Sequence, residues 1–318
     1  MLSLCCLLVA IASVSAGGNS KSGPPVEGFF VTEFLKLVLI PTRIIVHIDV
    51  GTHKGIVGGS RAQNCQFPSI VYLEIFNQPT DFSYSACGGT LVDATHVLTA
   101  AHCVEGKVRR IKVNIGSNNK RSPGSQSTTV SKFVIHGGYV GTKYVVKNDI
   151  AMLTLNTRVR EARCVKFAKL ASKGETFGTS RCIAAGWGKF AYKGQSPDQL
   201  FKVTLPAIPA DVCKRRSKMR ISDGILCAGD FTAGGTSTCQ GDSGGPLYCR
   251  NRSYQTVLAG VTSFGSRCNG EVSAFTDVGY FRDWIDSNLV TTITVSQIGH
   301  IPQIGYISKA KRNSSEDC

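Results

Sequence analysis

Three short motifs supply a histidine, an aspartate and a serine that could together perform acyl transfer. They are Leu98-Thr-Ala-Ala-His-Cys103, Asn148-Asp-Ile-Ala-Met-Leu153 and Gly241-Asp-Ser-Gly-Gly-Pro246. A serine hydroxyl is a weak nucleophile until a base takes its proton, and histidine can do this near neutral pH. A carboxylate on the other imidazole nitrogen fixes the tautomer and stabilises the imidazolium. His102, Asp149 and Ser243 are therefore the candidate catalytic side chains.

The glycines around Ser243 add a second chemical element. A glycine-rich turn lets backbone N–H groups point at a developing oxyanion, here those of Gly241 and Ser243. Taken singly, each motif has a structural interpretation: a histidine beside a cysteine, an aspartate in a turn, or a tight glycine turn. The occurrence of all three in one cysteine-rich chain favours catalysis.

Composition limits the fold and the class of protein. The chain has 318 residues, of which 42% are hydrophobic and 18% charged, so it can form a large core and is not mostly disordered. The net charge of +15 favours acidic partners such as polyanions, anionic membranes or nucleic acid. No run of 18 uncharged apolar residues follows the N-terminus, which excludes a multi-span membrane protein.

Short apolar segments, separated by Gly, Asn, Pro and Ser clusters, recur from about residue 67. Such spacing predicts an all-β barrel or sandwich that would position the candidate residues. An amphipathic stretch over Tyr280–Leu289 predicts a closing helix. The predicted strands include Ile111–Ile115, Thr128–Ile135, Asp149–Leu155, Val203–Ile208 and Tyr254–Val261.

The N-terminus indicates export. Residues 1–16 form an apolar run ending in small residues, which is typical of a secretory signal, the alternatives being a buried helix or a membrane anchor. Residues 17–55 are interpreted as a pro-segment, with a misassigned exon as the alternative. Residues 291–318 form a largely polar C-terminal tail. We expect a secreted, extracellular protein.

The cysteine count agrees with an oxidising compartment. Removal of residues 1–16 leaves eleven of the thirteen cysteines. Ten could form five disulfides, and the odd one implies a free thiol or an intermolecular bridge. A zinc site is disfavoured because no paired Cys-x-x-Cys motifs occur.

From Ile56 to about Leu289 the sequence resembles the trypsin/chymotrypsin-like serine proteases. The three motifs stand in that family's order, accompanied by Gly186-Trp-Gly188 and Ser263-Phe-Gly265. The resemblance implies two six-stranded antiparallel Greek-key β-barrels with a short C-terminal helix, in a protease domain over residues 56–290. It also implies a serine endopeptidase that works through an acyl-enzyme. It assigns His102 as base, Asp149 as its orienting carboxylate, Ser243 as nucleophile, and the N–H groups of Gly241 and Ser243 as the oxyanion hole.

The resemblance further implies a disulfide pattern. Four pairs follow from the family: Cys87–Cys103, Cys182–Cys249, Cys213–Cys227 and Cys239–Cys268. Cys65 and Cys164 are then paired by elimination, which leaves Cys318 on the tail as the odd cysteine.

Activation by cleavage is the next implication. Ile56-Val-Gly-Gly59 resembles the mature N-terminus of the family, whose new α-amino group pairs with the carboxylate before the nucleophile, here Asp242. The uncut chain should therefore be a zymogen. However, Gly55 stands where the family has Arg or Lys. Either another protease cuts after Gly55, or Gly55 is trimmed, or the leader is wrongly assigned.

Specificity is predicted from the pocket positions. The residue six before the nucleophile is Ser237, which is neutral, so cleavage after Lys or Arg is disfavoured. Gly265 leaves one wall open and Ser273 lines the other, so large apolar or aromatic side chains should fit. Ser263 and Gly265 should bind the substrate backbone as an added strand. A shift in alignment would bring Glu271 to the pocket and restore a preference for cleavage after Lys or Arg.

No metal or other cofactor is expected. The loop Gly116–Gln126 stands where some relatives bind calcium, but it has no carboxylates. The sequences around Asn251 and Asn313 are glycosylation acceptors. Expected partners are protein substrates, an activating protease and protein inhibitors.

Basic clusters at residues 107–112, 158–173 and 214–220 are either solvated surface or a site for a polyanion such as heparin. No nucleic-acid motif accompanies them. A different class also fits the chain: a catalytically silent binding protein on the same fold, whose pocket never forms.

Overall fold

The computed structural model describes residues 56–78, 83–231, 235–265, 268 and 271–289. The predictions for the signal segment, the pro-segment, the C-terminal tail, Asn313 and Cys318 lie outside the described residues. The strands are β1 Ser60–Arg61, β2 Ile70–Phe76, β3 Ser85–Leu91, β4 His96–Thr99, β5 Arg110–Ile115, β6 Gln126–Ile135, β7 Val140–Gly141, β8 Val146–Lys147, β9 Ala151–Leu155, β10 Arg181–Gly186, β11 Phe201–Ile208, β12 Ile225–Ala228, β13 Pro246–Arg250, β14 Thr256–Gly265 and β15 Ser273–Asp277.

Six of these strands close the first barrel, in the order β2-β3-β4-β9-β6-β5, with antiparallel pairing throughout. Strand β5 shows how the sequence fixes the faces. Ile111, Val113 and Ile115 are buried while the residues between them are more exposed, because alternate side chains of a strand point to opposite sides. The apolar residues whose alternation predicted this strand are thus the ones that pack into the barrel core.

The second barrel follows the order β11-β10-β13-β14-β15-β12, and pairing of β11 with β12 closes it. In each barrel the first three consecutive strands pair with one another in order, and the fourth returns to pair with the first. This is the Greek-key arrangement. Strand β1 extends the second barrel by pairing with β11. The prediction of two six-stranded Greek-key barrels is confirmed.

Helices are few and short. A one-turn 3-10 helix spans Ala101–Cys103, α1 spans Ala210–Arg216 and α2 spans Arg282–Leu289. Helix α2 is the predicted C-terminal helix, beginning two residues later than expected, and its Ile285 is fully buried. None of the helices in the described segments is long and apolar enough to span a membrane.

Five disulfides cross-link the barrels and their connections. They are Cys65–Cys164, Cys87–Cys103, Cys182–Cys249, Cys213–Cys227 and Cys239–Cys268, the same five pairs that were named from the sequence. Two of them stabilise elements that bear candidate residues. Cys87–Cys103 ties the 3-10 helix of His102 to β3, and Cys239–Cys268 holds the segment before Ser243.

Candidate active site

His102 sits on the 3-10 helix with its imidazole directed at Asp149. The backbone N–H of His102 donates to Asp149 Oδ1 at 2.9 Å, and His102 Nδ1 lies 2.7 Å from Asp149 Oδ2. The His102 side chain is 28% exposed while that of Asp149 is fully buried. Both carboxylate oxygens are therefore used to hold one residue, which leaves Nε2 as the ring nitrogen open to a reaction partner.

Asp149 is held by the second barrel as well as the first. Ser263 Oγ, on β14, donates to Asp149 Oδ2 at 2.5 Å. Thr276 Oγ1, on β15, donates to the Asp149 backbone oxygen at 2.7 Å. The carboxylate therefore lies at the contact between the barrels, fixed by residues that are distant in sequence.

The electrostatics follow from this arrangement. Burial by itself lowers the pKa of His102, but the hydrogen bond and charge of Asp149 outweigh it and raise that pKa above 6.5. For Asp149, burial acts to raise the pKa, and the hydrogen bonds and charge of His102, with the hydrogen bond from Ser263, lower it below 3.8. Asp149 is thus ionised when His102 takes a proton.

Ser243 stands in the turn that leads into β13, pinned to both barrels. Its backbone oxygen accepts from Gly88 N at 2.8 Å, and Gly244 N donates to Thr262 O at 2.8 Å. Gly244 has a φ of +74°, and a Cβ there would lie 2.2 Å from Thr99 Oγ1. Only glycine fits, so the turn requires glycine at the position after Ser243.

The two predicted oxyanion donors are available. Gly241 has a φ of +98°, a conformation that favours glycine. Within the described part of the chain, the N–H groups of Gly241 and Ser243 donate to no protein acceptor. Since backbone N–H groups are rarely left unpaired, these two donors are free for a ligand oxygen.

The same neighbourhood contains a group of potential metal ligands, namely Cys87, His102 and Cys103. Both cysteines form a disulfide with each other, so neither offers a thiolate. His102 Nε2 lies 3.9 Å from Cys103 Sγ, which is a packing contact with the bridge. One imidazole is then the remaining donor, and the group does not suit a metal.

A cleft of about 220 Å³ opens beside Ser243 and is called the substrate cleft below. Ser263 and Gly265 line it, whereas Ser237 and Ser273 are buried and are not among its described lining residues. Ser273 Oγ accepts hydrogen bonds from Thr238 N and Thr238 Oγ1 at 3.1 and 3.0 Å. The described lining is neutral: Thr238, Cys239, Gln240, Ser243, Thr262, Ser263, Phe264, Gly265 and Cys268.

Glu271, the alternative pocket residue, lies elsewhere. Its carboxylate is 3.7 Å from Lys218 Nζ, and the residue borders a separate hollow with Arg216 and Phe231. Glu271 is not among the described residues that line the substrate cleft.

The segment that begins at Ile56 enters the protein next to the cleft. Ile56 is fully buried, and Val57 O accepts from Ser237 N at 3.1 Å. Asp242 is also buried, and its two carboxylate oxygens accept from Gly188 N at 2.8 Å and Cys239 N at 2.9 Å. Burial outweighs these bonds and raises the pKa of Asp242 to about 7.

Asn251 is the one glycosylation acceptor within the described segments. It sits in the turn between β13 and β14, and its Oδ1 accepts hydrogen bonds from Ser253 N and Gln255 N. Glycosylation at Asn251 stays a prediction.

Sequence reasoning missed several contacts that build the site. It placed Ser263 against the substrate backbone and had no signal for its bond to Asp149, which is 114 residues away. It also had none for Thr276 or Gly88. Gly188 belonged to a recognised motif, but nothing in the sequence indicated that its N–H binds Asp242.

Comparison with known proteins agrees with this geometry. The trypsin family model matches residues 56–285. Trypsin eta of Drosophila erecta is 32% identical over 240 residues, covering 74% of this chain and 90% of the relative. Trypsin, alkaline C of Manduca sexta is 31% identical over 268 residues, covering 80% and 98%. Kallikrein 1-related peptidase b3 of Mus musculus is 34% identical over 249 residues, covering 74% and 89%. The chain therefore belongs to the trypsin family and is a serine-type endopeptidase.

Proposed function

We propose that this endopeptidase uses His102, Asp149 and Ser243 as a catalytic triad. His102 Nε2 takes the proton of Ser243 Oγ as that oxygen bonds to the substrate carbonyl carbon. The oxyanion that forms is held by the N–H groups of Gly241 and Ser243. The protonated His102 then gives its proton to the leaving amine, and the peptide bond breaks. Water repeats the sequence on the acyl-enzyme and releases the acid.

The bond between His102 Nδ1 and Asp149 is the observation that carries this proposal. It orients the ring and raises the pKa of His102, so the ring can accept a proton from Ser243. Ser243 Oγ makes no hydrogen bond within the described structure, His102 Nε2 included. Catalytic hydrogen bonds are often long in the absence of substrate and tighten when it binds.

A large apolar or aromatic side chain before the cut is the preference we propose. The neutral lining of the substrate cleft supports it, as does the absence of an acidic side chain at Ser237. Buried lysine or arginine requires a paired carboxylate, whereas a phenyl ring gains free energy by leaving water. Gly265 has open space beside its Cα: a Cβ there would meet nothing closer than 3.8 Å, so a ring can pass.

Cleavage after Lys or Arg is the competing specificity, and the names of relatives such as trypsin eta favour it. The ion pair between Glu271 and Lys218 weighs against it here, because that carboxylate is engaged outside the cleft. The two specificities separate with peptide substrates that differ only in Phe or Lys before the reporter group.

Ser237→Asp gives the sharper test. We expect the Phe substrate to be preferred by the natural chain and the Lys substrate to gain at least about tenfold in relative kcat/KM in the variant. Ser287→Asp, exposed on helix α2 and outside the described lining of the cleft, serves as the charge-matched control. A natural chain that prefers the Lys substrate would overturn the proposed specificity without affecting the triad.

We further propose that the protein is secreted and made as a zymogen, cut before Ile56. The buried Ile56, and an Asp242 carboxylate with no described cation beside it, support this, since a new α-ammonium would supply the missing charge. Sequencing the N-terminus before and after activity appears tests the idea. A terminus other than Ile56 in the active protein contradicts it.

A silent binding protein on the same fold is the remaining alternative from the sequence. A serine-phosphonylating reagent should label the cut natural chain and not Ser243→Ala, whose kcat should fall by several orders of magnitude with the fold retained. Failure of the cut natural chain to react would favour the silent protein.

A further inference from the structure

A second cavity, larger than the substrate cleft, lies between the second barrel and two connecting segments, residues 66–69 and the inter-barrel connection at residues 166–169. Its volume is about 350 Å³, within the range of small-molecule sites. We call it the inter-barrel cavity and define it by Phe67, Lys166, Lys169, Arg181, Tyr248 and Arg250. None of these residues takes part in the catalytic proposal.

Its inner surface is apolar and aromatic. Phe67 and Tyr248 stack with ring centroids 5.7 Å apart and planes inclined by 9°. Ile183 and the fully buried Leu258 complete the apolar lining. The Tyr248 hydroxyl is satisfied by Ser69 Oγ at 2.7 Å. A ligand would therefore meet carbon surface at the base of the cavity and would gain from burying a ring there.

Its rim is positively charged. Four exposed basic residues line the cavity, namely Lys166, Lys169, Arg181 and Arg250, and the described lining contains no acidic residue. Arg181 and Arg250 form no ion pair or hydrogen bond through their side chains with the described residues. Lys166 pairs with Glu161 at 3.2 Å, but both are half exposed, and such surface pairs are weak. The guanidinium groups of Arg181 and Arg250 are therefore available to bind an anion.

The cavity is separate from the substrate cleft and firmly built. Strand β13 starts just after Ser243 and ends at Arg250, while β14 starts at Thr256 by the cavity and ends at Ser263–Gly265 by the cleft. With a rise of about 3.4 Å per residue, the two sites lie roughly 20 Å apart along these strands. The Cys182–Cys249 bridge joins β10 to β13 at the cavity wall, so little ordering is needed on binding.

We propose that the inter-barrel cavity binds a small organic anion, a ring system that carries a sulfate, sulfonate or phosphate group. The ring lies against the partly exposed side chains of Phe67 and Ile183, and the anionic group is held by Arg181 and Arg250. Arginine suits such groups because its planar fork can donate two hydrogen bonds to their oxygens. A long sulfated polysaccharide fits less well, since its hydrophilic chain would leave the apolar base uncovered.

Titration calorimetry with naphthalene-2-sulfonate tests the proposal on the full secreted protein. We expect one site whose affinity falls at least about tenfold in Arg181→Ala/Arg250→Ala, because two charge-assisted contacts are lost. Arg158→Ala/Arg160→Ala removes two exposed arginines that do not line the cavity and should change the affinity less than about twofold. Thermal unfolding and peptide cleavage report whether each variant is folded.

Every outcome bears on the proposal. If the cavity variant and the control bind naphthalene-2-sulfonate equally well, the proposal is overturned. Binding in the substrate cleft would give this result, because neither variant changes the cleft. Equal affinity for inorganic sulfate would show that no ring is needed, and equal affinity for uncharged naphthalene would show that no charge is needed. Either result overturns the proposal. A heparin fragment that binds more tightly, with the same dependence on Arg181 and Arg250, reassigns the cavity to polyanions. If the double variant does not fold, the single variants Arg181→Gln and Arg250→Gln carry the same test.

Discussion

Ser263 Oγ donates a hydrogen bond to Asp149 Oδ2 at 2.5 Å, across the contact between the two barrels. The acceptor is the oxygen that also faces His102 Nδ1. Through this bond the second barrel, which carries Ser243, positions a carboxylate that the first barrel supplies. The proposed base and nucleophile come from different barrels, so their alignment depends on such cross-barrel contacts.

Ser263→Ala should lower kcat/KM by about tenfold, because a buried carboxylate loses one charge-assisted hydrogen bond. The pKa of Asp149 should rise, since the Ser263 bond is among the causes that lower it. The rate on one peptide substrate measures the first effect, and an NMR titration of the Asp149 carboxyl in the acidic range measures the second. Ser287→Ala, on exposed α2, is the matched control and should match the natural chain. An unchanged Asp149 pKa together with an unchanged rate would show that the bond has no positioning role.

The pH dependence of activity should reflect His102. Its pKa is raised above 6.5, so kcat/KM should fall as the pH drops through that raised value and the ring can no longer accept a proton. In Asp149→Asn the hydrogen bond and charge that raise the pKa are lost and burial dominates, so the pKa should move below 6.5. The rate should fall by about 10²–10⁴-fold, the usual contribution of a positioned base.

The histidine signal in an NMR titration, followed in the natural chain and in Asp149→Asn, checks the direction of the shift. His136 provides an internal reference, because burial alone lowers its pKa and Asp149 is not among the causes. A His102 pKa that does not fall in Asp149→Asn contradicts the electrostatic account of the site.

Asp242 should give the uncut chain an unusual pH dependence of stability. Burial raises its pKa from 3.8 to about 7, so the folded chain keeps a proton that the unfolded chain releases between these values. The free energy of unfolding should therefore decrease as the pH rises from about 4 to about 7, by about 4 kcal/mol at most. Urea unfolding at several pH values measures this slope.

Two comparisons isolate the cause of that slope. Asp242→Asn should abolish it, although the amide adds a fixed cost by opposing one of the two N–H donors. Cleavage before Ile56 should also reduce it, because the new ammonium stabilises the ionised carboxylate. A slope that persists unchanged in both would place the titrating group elsewhere.

Local sequence signals predicted the strands and the motifs but not the contacts between them. The alternation of Ile111, Val113 and Ile115 is visible within six residues, and it predicted β5. Helix α1 was missed because its seven residues have no apolar stripe and bury only Cys213. The partners of Asp149 come from β14 and β15, and no local pattern indicates them. The same holds for the inter-barrel cavity, whose lining comes from widely separated segments.

Gly188→Ala should disrupt the surroundings of Asp242 without touching the triad. A Cβ at Gly188 would lie 2.3 Å from Asp242 Cγ and Oδ2, so the carboxylate must move and lose its hydrogen bond from Gly188 N. We expect a loss of about 1–3 kcal/mol in the free energy of unfolding, with lower activity after cleavage. Gly137→Ala is the matched control, since a Cβ there meets no atom within 4 Å. Thermal unfolding of both variants and their rates of cleavage of one peptide substrate test this prediction. Equal unfolding temperatures and equal rates would show that the Asp242 site tolerates the displacement.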